Sequence, residues 1–452
     1  MAAVRAEQIA ELVEKYHRFH SYCARFPTSL VREVIRDFTK RGDSVFDPFC
    51  GSGTSLVAAL IAQRVVVGGD IDALAGMISR AKCAPRSASE YERWKTKFEK
   101  TLISRFSDIQ RNWSNAARPK MGKLMRIGSM KVRIRSLPQL AYWFPPQLIT
   151  ALAVIAETAH ECGDAHLEQV ALISLSASII AKWPKTLSYA MDIDHTRPHR
   201  RIQKFTLHRI LSDYLRRLDR SIHCLGRLEK IYRDAGVIDR INENVTVFCP
   251  HDARENCSEI ADESQALVIT SPPYFNAVDY PRAHRLSVCW MNGYAPGDLA
   301  SRRDYIGLHS GIDADVEAWL QDRAPIRRLM PVTPGEHPSI GRRLVSFAAD
   351  LDAAVKQVHR KLSPGGCAAF VIADNLVRGK RLAAHRILVE IARTHGFSQI
   401  TTNRREIAKF RRRFPVGPFG FDGPMTHEYM VVFRKPGLRR KGRLKPETPT
   451  ST

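Results

Sequence analysis

The chain has 452 residues, roughly two to three times the length of a typical domain, so it can bury a large core as one big enzyme domain or as a domain with an insertion. Hydrophobic residues make up 44% and charged residues 26%, which excludes wholesale disorder, a collagen-like repeat and a small disulfide-stapled scaffold. Lys and Arg (70) outnumber Asp and Glu (46), and residues 86–244 and 400–452 hold 21 of the 24 surplus positive charges. A near-neutral catalytic body with attached surfaces for a polyanion fits that distribution, and nucleic acid is the natural partner.

The first residues, MAAVRAEQIAELVEKY, are charged and helix-like without an apolar h-region, and the longest apolar stretch, Ala171–Ala181, is too short to span a bilayer. A cytoplasmic protein with no membrane attachment is expected. Ser44–Phe46 reads as a short strand running into Asp47-Pro48-Phe49-Cys50-Gly51-Ser52-Gly53-Thr54, and the helical run SLVAALIAQR follows at once. A second strand, Val65–Gly69, ends in Asp70-Ile71-Asp72 before an alanine-rich helix to about Lys82. This is a βαβα unit with parallel strands.

Residues 86–244 read as a mostly helical insertion, with apolar residues at helical spacing in Pro146–Ala159, Leu167–Lys182 and Ile202–Arg233. The last of these carries Arg209, Arg216, Arg217, Arg220, Arg227 and Lys230 beside its leucines, so one face packs and the other is cationic. Lys120–Arg135 alternates basic with apolar residues, as a strand pair or arm lying on phosphates would. The α/β pattern resumes with buried strands at Val245–Cys249, Ala266–Thr270 and Cys367–Ala373, and a helix over Phe347–Leu362 is expected to end in the turn Ser363-Pro364-Gly365-Gly366. After Arg434 the chain is basic and proline-containing, and a disordered tail is expected. Nine cysteines form no CxxC pair, as buried thiols of a reducing compartment would. Cys249, His251 and Cys257 come nearest to a metal pattern but lack a second ligand cluster, so no metal is expected.

Two constellations carry chemistry. A glycine turn between strand and helix lets the backbone approach a ligand, and the helix N-terminus offers free N–H groups. Asp70 follows Gly51 by 19 residues at the end of the second strand, where a carboxylate can accept both hydroxyls of a ribose. With acidic Asp47 ahead of a GSGT turn, the site suits an α-amino group better than a pyrophosphate, so the cofactor is expected to carry an amino acid, as S-adenosylmethionine does. The second constellation, Ser271-Pro272-Pro273-Tyr274, stands at the carboxyl end of the strand ALVIT. Two prolines stiffen the turn and leave carbonyls free to accept hydrogen bonds, while Tyr274 offers a stacking face, an arrangement suited to an exocyclic amino group on a flat base.

FDPFCGSGT, GGDID and ITSPPY, in that order, resemble the S-adenosylmethionine-dependent DNA amino-methyltransferases, which methylate cytosine N4 or adenine N6. The resemblance covers about 1–85 and 245–435. It implies an α/β, Rossmann-like methyltransferase sheet with its first part at 1–85, a helical basic insertion at 86–244 as candidate DNA-recognition region, a second part at 245–435 and a basic tail at 436–452. It implies S-adenosyl-L-methionine as cofactor, held by Phe26, Asp47, Phe49, Gly51, Gly53, Thr54, Asp70 and Asp252, and catalysis by Ser271, Pro272, Pro273 and Tyr274. Phe26 belongs to HSYCARFP (20–27), which is similar to the element that closes over the methionine end of the cofactor. Asp252 lies in His251-Asp252-Ala253-Arg254, similar to a GDAR element, with His in place of the usual glycine.

Ser at the first tetrapeptide position is usual for cytosine-N4 enzymes, whereas adenine-N6 enzymes mostly carry Asp or Asn, so cytosine N4 is the expected target. The base would be flipped out of double-stranded DNA, with Tyr274 or Phe275 stacking on it. A restriction endonuclease is a possible companion. The alternatives are an adenine-N6 enzyme, an RNA methyltransferase acting on tRNA guanine N2, and a nucleic-acid-binding protein with a decayed methyltransferase fold. A second arginine-rich stretch, 294–343, competes with the insertion as the reader of bases.

Overall fold

The computed structural model describes residues 11–22, 27–113, 118–134, 140–182, 184–191, 204–275, 279–291, 305–307, 314–407 and 425–437. Helix α1 (Thr28–Phe38) leads into β1 (Ser44–Asp47), α2 (Thr54–Ile61), β2 (Val65–Gly69) and α3 (Ala73–Cys83). The insertion contributes α4 (Ala88–Arg111), a hairpin of β3 (Leu124–Ile127) and β4 (Met130–Arg133), and the helices α5 (Pro146–His160), α6 (Ala165–Ile179) and α7 (Leu207–Asp234). Then follow β5 (Val245–Phe248), β6 (Gln265–Thr270), α8 (Tyr280–Val288), two short helices, α9 (Pro338–Lys361), β7 (Leu362–Ala373), a small ribbon of β8 (Asn375–Val377) and β9 (Lys380–Leu382), α10 (Ala384–Thr394), β10 (Ser398–Glu406) and β11 (His427–Arg434).

Seven strands form one sheet in the order β10-β11-β7-β6-β1-β2-β5. The five from β7 to β5 are parallel, and β11 runs antiparallel to both β7 and β10. Strand order reverses between β1 and β6, which opens a crevice at their carboxyl ends, the place where open α/β sheets bind ligands. Both chemistry-bearing turns leave the sheet there.

Side-chain alternation along the strands divides the core. Val45, Val66, Leu267, Ile269 and Val371 face the layer that contains α2 and α3, whereas Phe46, Val268, Phe370, Ile372 and Phe433 face α9 and α10. Phe98 and Leu102 of α4, Leu152 of α5, Ile173 of α6 and Leu218 and Leu225 of α7 belong to the first of these cores, so the insertion is packed onto the sheet layer rather than held apart as a separate bead. Local signals fix its helices. Ser87 and Glu90 form a reciprocal capping box on α4. Asp164 caps α6 through the N–H groups of His166 and Leu167 and also takes the Arg86 guanidinium at 2.7 Å. The Tyr232 hydroxyl donates to the Lys82 carbonyl at 2.9 Å, tying α7 to α3.

Two expectations need correction, and one strand was not anticipated. Ser363-Pro364-Gly365-Gly366 does not separate helix from strand: pairing with β6 begins at Leu362 and resumes at Cys367, so the four residues form an irregularity inside β7, with Gly365 at φ 83°. Helix α9 begins well before Phe347, at Pro338, where His337 accepts from the Ile340 N–H. The edge strand β10 was not expected, because its exposed run of polar and charged residues offers no apolar alternation. Arg302, Arg303 and the tail from 438 lie outside the described residues. Among those described, no helix is long and apolar enough to cross a membrane, and no group of three or more His, Cys, Asp and Glu is placed to hold a metal ion.

Candidate active site

The turn after β1 is built around Asp47. Its carboxylate is fully buried and accepts from the Phe49 N–H at 3.1 Å, from the Thr270 hydroxyl at 2.5 Å and from the Ser55 hydroxyl. Burial pushes its carboxyl up to about 6. Both oxygens are therefore committed inside the protein, and Asp47 does not line the cavity, which corrects the expectation that it meets an α-amino group. It joins the ends of β1 and β6 to the first turn of α2. Gly53 has φ 79°, and a Cβ there would stand 2.9 Å from Ser79 Oγ and 3.3 Å from its Cα, so only glycine lets the turn lie against α3. Lys82, fully buried, donates to the Ser52 carbonyl at 2.7 Å. Replacing Asp47 by Ala strands two hydroxyls and one N–H in the core; we expect a loss of about 2–4 kcal/mol of stability in denaturant titrations.

Asp70 closes β2. It accepts from the Gly51 N–H at 2.8 Å and the Asp72 N–H at 2.9 Å, and among the described residues no Lys, Arg or His pairs with it. Burial, followed by the charge of Asp72, pushes its carboxyl up to about 7. A carboxylate so short of donors, at the wall of a cavity, fits the hydroxyl pair of a ribose. Beside it Asp72 caps α3 through the Leu74 N–H at 3.0 Å and takes the His284 Nδ1 at 2.5 Å and the Tyr22 hydroxyl at 3.3 Å. The Tyr22 ring stacks on Tyr280 with centroids 5.8 Å apart. Sequence reasoning missed Asp72, His284 and Tyr280. The capping position of Asp72 was legible, but its pairing with His284 spans 212 residues.

After β5, His251 donates its N–H to the Asp70 carbonyl at 2.9 Å. Its ring lies so close over Gly69 that a Cβ there would sit 2.2 Å from His251 Cδ2. The absence of a side chain at 69 thus leaves room for the His251 ring. Burial lowers the His251 imidazole, so it is neutral near pH 7. Asp252 is gripped by Arg254 through Nε at 3.0 Å and Nη2 at 2.6 Å, and Arg254 also reaches Asp350 at 2.9 Å.

After β6, the Ser271 hydroxyl donates to the Tyr274 hydroxyl at 3.3 Å, and burial raises the Tyr274 phenol. Phe275 is buried against Phe347, and its carbonyl accepts from the Asn375 amide. It therefore faces the core, and Tyr274 alone of the two remains a stacking surface.

One cavity of about 430 Å³, within the range of small-molecule sites, gathers these pieces. Phe49, Gly51, Thr54, Asp70, Asp252 and all four residues Ser271–Tyr274 line it, together with Tyr22, His251 and Tyr305, which motif reading had not placed in the site. Arg405, Glu406 and Glu428 supply a further wall from β10 and β11. Gly53 acts through the backbone of the turn and does not line the cavity; Phe26 lies outside the described residues. A nucleoside with a polar extension fits: an acceptor for hydroxyls at Asp70, rings at Phe49 and His251, and an open glycine backbone.

A sequence model of the N6/N4 methyltransferase family, described as DNA methylase, matches residues 6–76. The Type II methyltransferase M.MvaI of Kocuria varians is 24% identical over 447 residues, covering 93% of this chain and 91% of that protein. The Type II methyltransferase M.MjaI of Methanocaldococcus jannaschii is 38% identical over 68 residues, 14% of this chain and 22% of that protein. Among solved structures, a putative DNA modification methylase of Thermus thermophilus, complexed with S-adenosyl-L-methionine, aligns over 44% of this chain and 57% of that one, with 22% identity and a TM-score of 0.22.

Proposed function

We propose that this chain is an S-adenosylmethionine-dependent amino-methyltransferase of the N4/N6 DNA family, a reading supported by the family match over residues 6–76 and by the likeness to M.MvaI along most of the chain, and that it methylates N4 of cytosine in duplex DNA. The observation that carries this reading is that Ser271 and Tyr274 share one cavity with Asp70, so an amino group held at the tetrapeptide stands beside a bound nucleoside cofactor. Bound S-adenosylmethionine supplies a methyl group on a sulfonium. Asp70 would accept its ribose hydroxyls, Phe49 and His251 would flank its adenine, and Asp252, fixed by Arg254, would face the adenine amino group.

Ser271 and the carbonyls of the proline turn would hold the target amino group. Acceptors rigidly placed on its hydrogens draw the nitrogen out of conjugation and expose its lone pair, and the flat Tyr274 ring sets the base plane. Orientation in a dry cavity then supplies most of the acceleration. The methyl would pass from the sulfonium sulfur to the nitrogen, the thioether would depart neutral, and the proton then shed by the nitrogen would go to solvent, since burial keeps the Tyr274 phenol protonated.

The insertion would bind the phosphates. In its hairpin Arg126 stands directly opposite Lys131 on the exposed face, which places two cations side by side on a surface that a polyanion could cover. A companion restriction endonuclease belongs to the same proposal. Incubation with labelled S-adenosylmethionine and either unmethylated duplex DNA or tRNA tests the substrate class: label is expected in DNA, and label in tRNA alone would overturn the reading.

The state of Asp70 gives a pH test. Ribose hydroxyls donate to the ionised carboxylate, so binding weakens as pH falls through the carboxyl's value of about 7. Calorimetric affinity for S-adenosylmethionine is expected to drop about tenfold from pH 8 to pH 6 and to change little above pH 8. Asp70→Asn should bind weakly at every pH and lose that slope.

A further inference from the structure

Strands β10 and β11 place Arg405 directly opposite Glu428. The two side chains form an ion pair, Glu428 is buried, and both line the cavity that holds Ser271 and Tyr274. Neither belongs to the cofactor turn or to the tetrapeptide. We infer that Arg405, held by Glu428, recognises the N3 and O2 edge of the flipped cytosine and so selects the target base. This rests on the cytosine-N4 reading above and extends it to the wall that reads the base.

The argument is one of donors and acceptors. When a base is held by its exocyclic amino group at Ser271, the next two positions along the same edge are acceptors in cytosine, N3 and then O2. In adenine they are one acceptor, N1, and then a C–H. A guanidinium carries only donors, in a planar fork that matches two adjacent acceptors. Arg405 therefore complements cytosine at both positions and adenine at one. Glu428 fixes the fork's orientation, and its charge offsets the cation, which matters in a cavity that must also admit a positively charged sulfonium. The same pair lies on the strands at the opposite side of the sheet from β2, which ends at Asp70, and the strand that leads into Ser271–Tyr274, β6, stands between them in the sheet order.

The test uses the site that the wild-type enzyme marks in unmethylated DNA, prepared with cytosine or with 3-deazacytosine at the target. The analogue keeps the amino group and puts C–H in place of N3. For the wild type we expect kcat/KM to fall about 10- to 100-fold on the analogue, the effect of losing a hydrogen bond to a charged donor. Arg405→Gln should fall by a similar factor on cytosine and lose little more on the analogue, with S-adenosylmethionine affinity within about twofold of wild type; Arg405→Lys should lie between. A wild type indifferent to the analogue would overturn the inference without any variant. So would an Arg405→Gln enzyme with unchanged kcat/KM, or one as sensitive to the analogue as wild type. A wild type that marks adenine overturns the cytosine reading itself, and with it the role of Arg405, a failure distinguishable from the others by the product.

Discussion

Tyr274→Ala is expected to lower methyl transfer by about two to three orders of magnitude, because base orientation beside the methyl donor is what the site contributes. The ring is the stacking surface left at the tetrapeptide once Phe275 is buried against Phe347. Its hydroxyl meets Ser271 on the cavity wall, so truncation frees Ser271 as well and leaves a space into which the base can tilt. Asp70 and His251 are untouched. Single-turnover transfer should therefore collapse while calorimetric affinity for S-adenosylmethionine stays within about twofold. Tyr274→Phe, which keeps the ring, should retain most of the rate. Unchanged turnover in Tyr274→Ala would contradict the placement of the reaction at this end of the cavity.

The second large effect is expected at the other end. Asp70→Ala removes the acceptor for the ribose and also releases the Gly51 and Asp72 N–H groups that it holds. Losing a charge-assisted pair of hydrogen bonds is expected to weaken S-adenosylmethionine binding by about 100-fold or more. Affinity for duplex DNA, measured without cofactor, should be nearly unchanged, since Asp70 lies in the cavity wall and bonds to the Gly51 and Asp72 N–H groups rather than to the basic insertion. A variant that loses both affinities together would indicate collapse of the turn rather than loss of a ligand contact.

Much of this was legible in the sequence because it depends on short range. A strand followed by a glycine turn and a helix announces where a ligand meets the backbone, and Asp70 and Ser271–Tyr274 stand at strand ends that local pattern alone can locate. The role of Asp47 is hidden for a physical reason: an acid next to a glycine turn looks like a ligand contact, but its partners Ser55 and Thr270 come from the helix and strand that fold back onto it, the latter 223 residues away. His284 and Arg405 were invisible for the same reason, since their partners Asp72 and Glu428 are joined to them by tertiary packing and sheet register. The edge strand β10, polar on its exposed face, carried no periodic signal, although it brings Arg405 and Glu406 to the cavity.

The hairpin of the insertion was legible from its alternation, and the buried residues Met125, Ile127 and Val132 confirm which face packs. The division of the core was not, because helices 86–244 share it with α2 and α3.

The most direct test of the central claim is the identity of the methylated nucleoside. The purified protein, incubated with S-adenosylmethionine and unmethylated duplex DNA, should yield N4-methyldeoxycytidine by mass after digestion to nucleosides, and N6-methyldeoxyadenosine as the product instead would contradict the account.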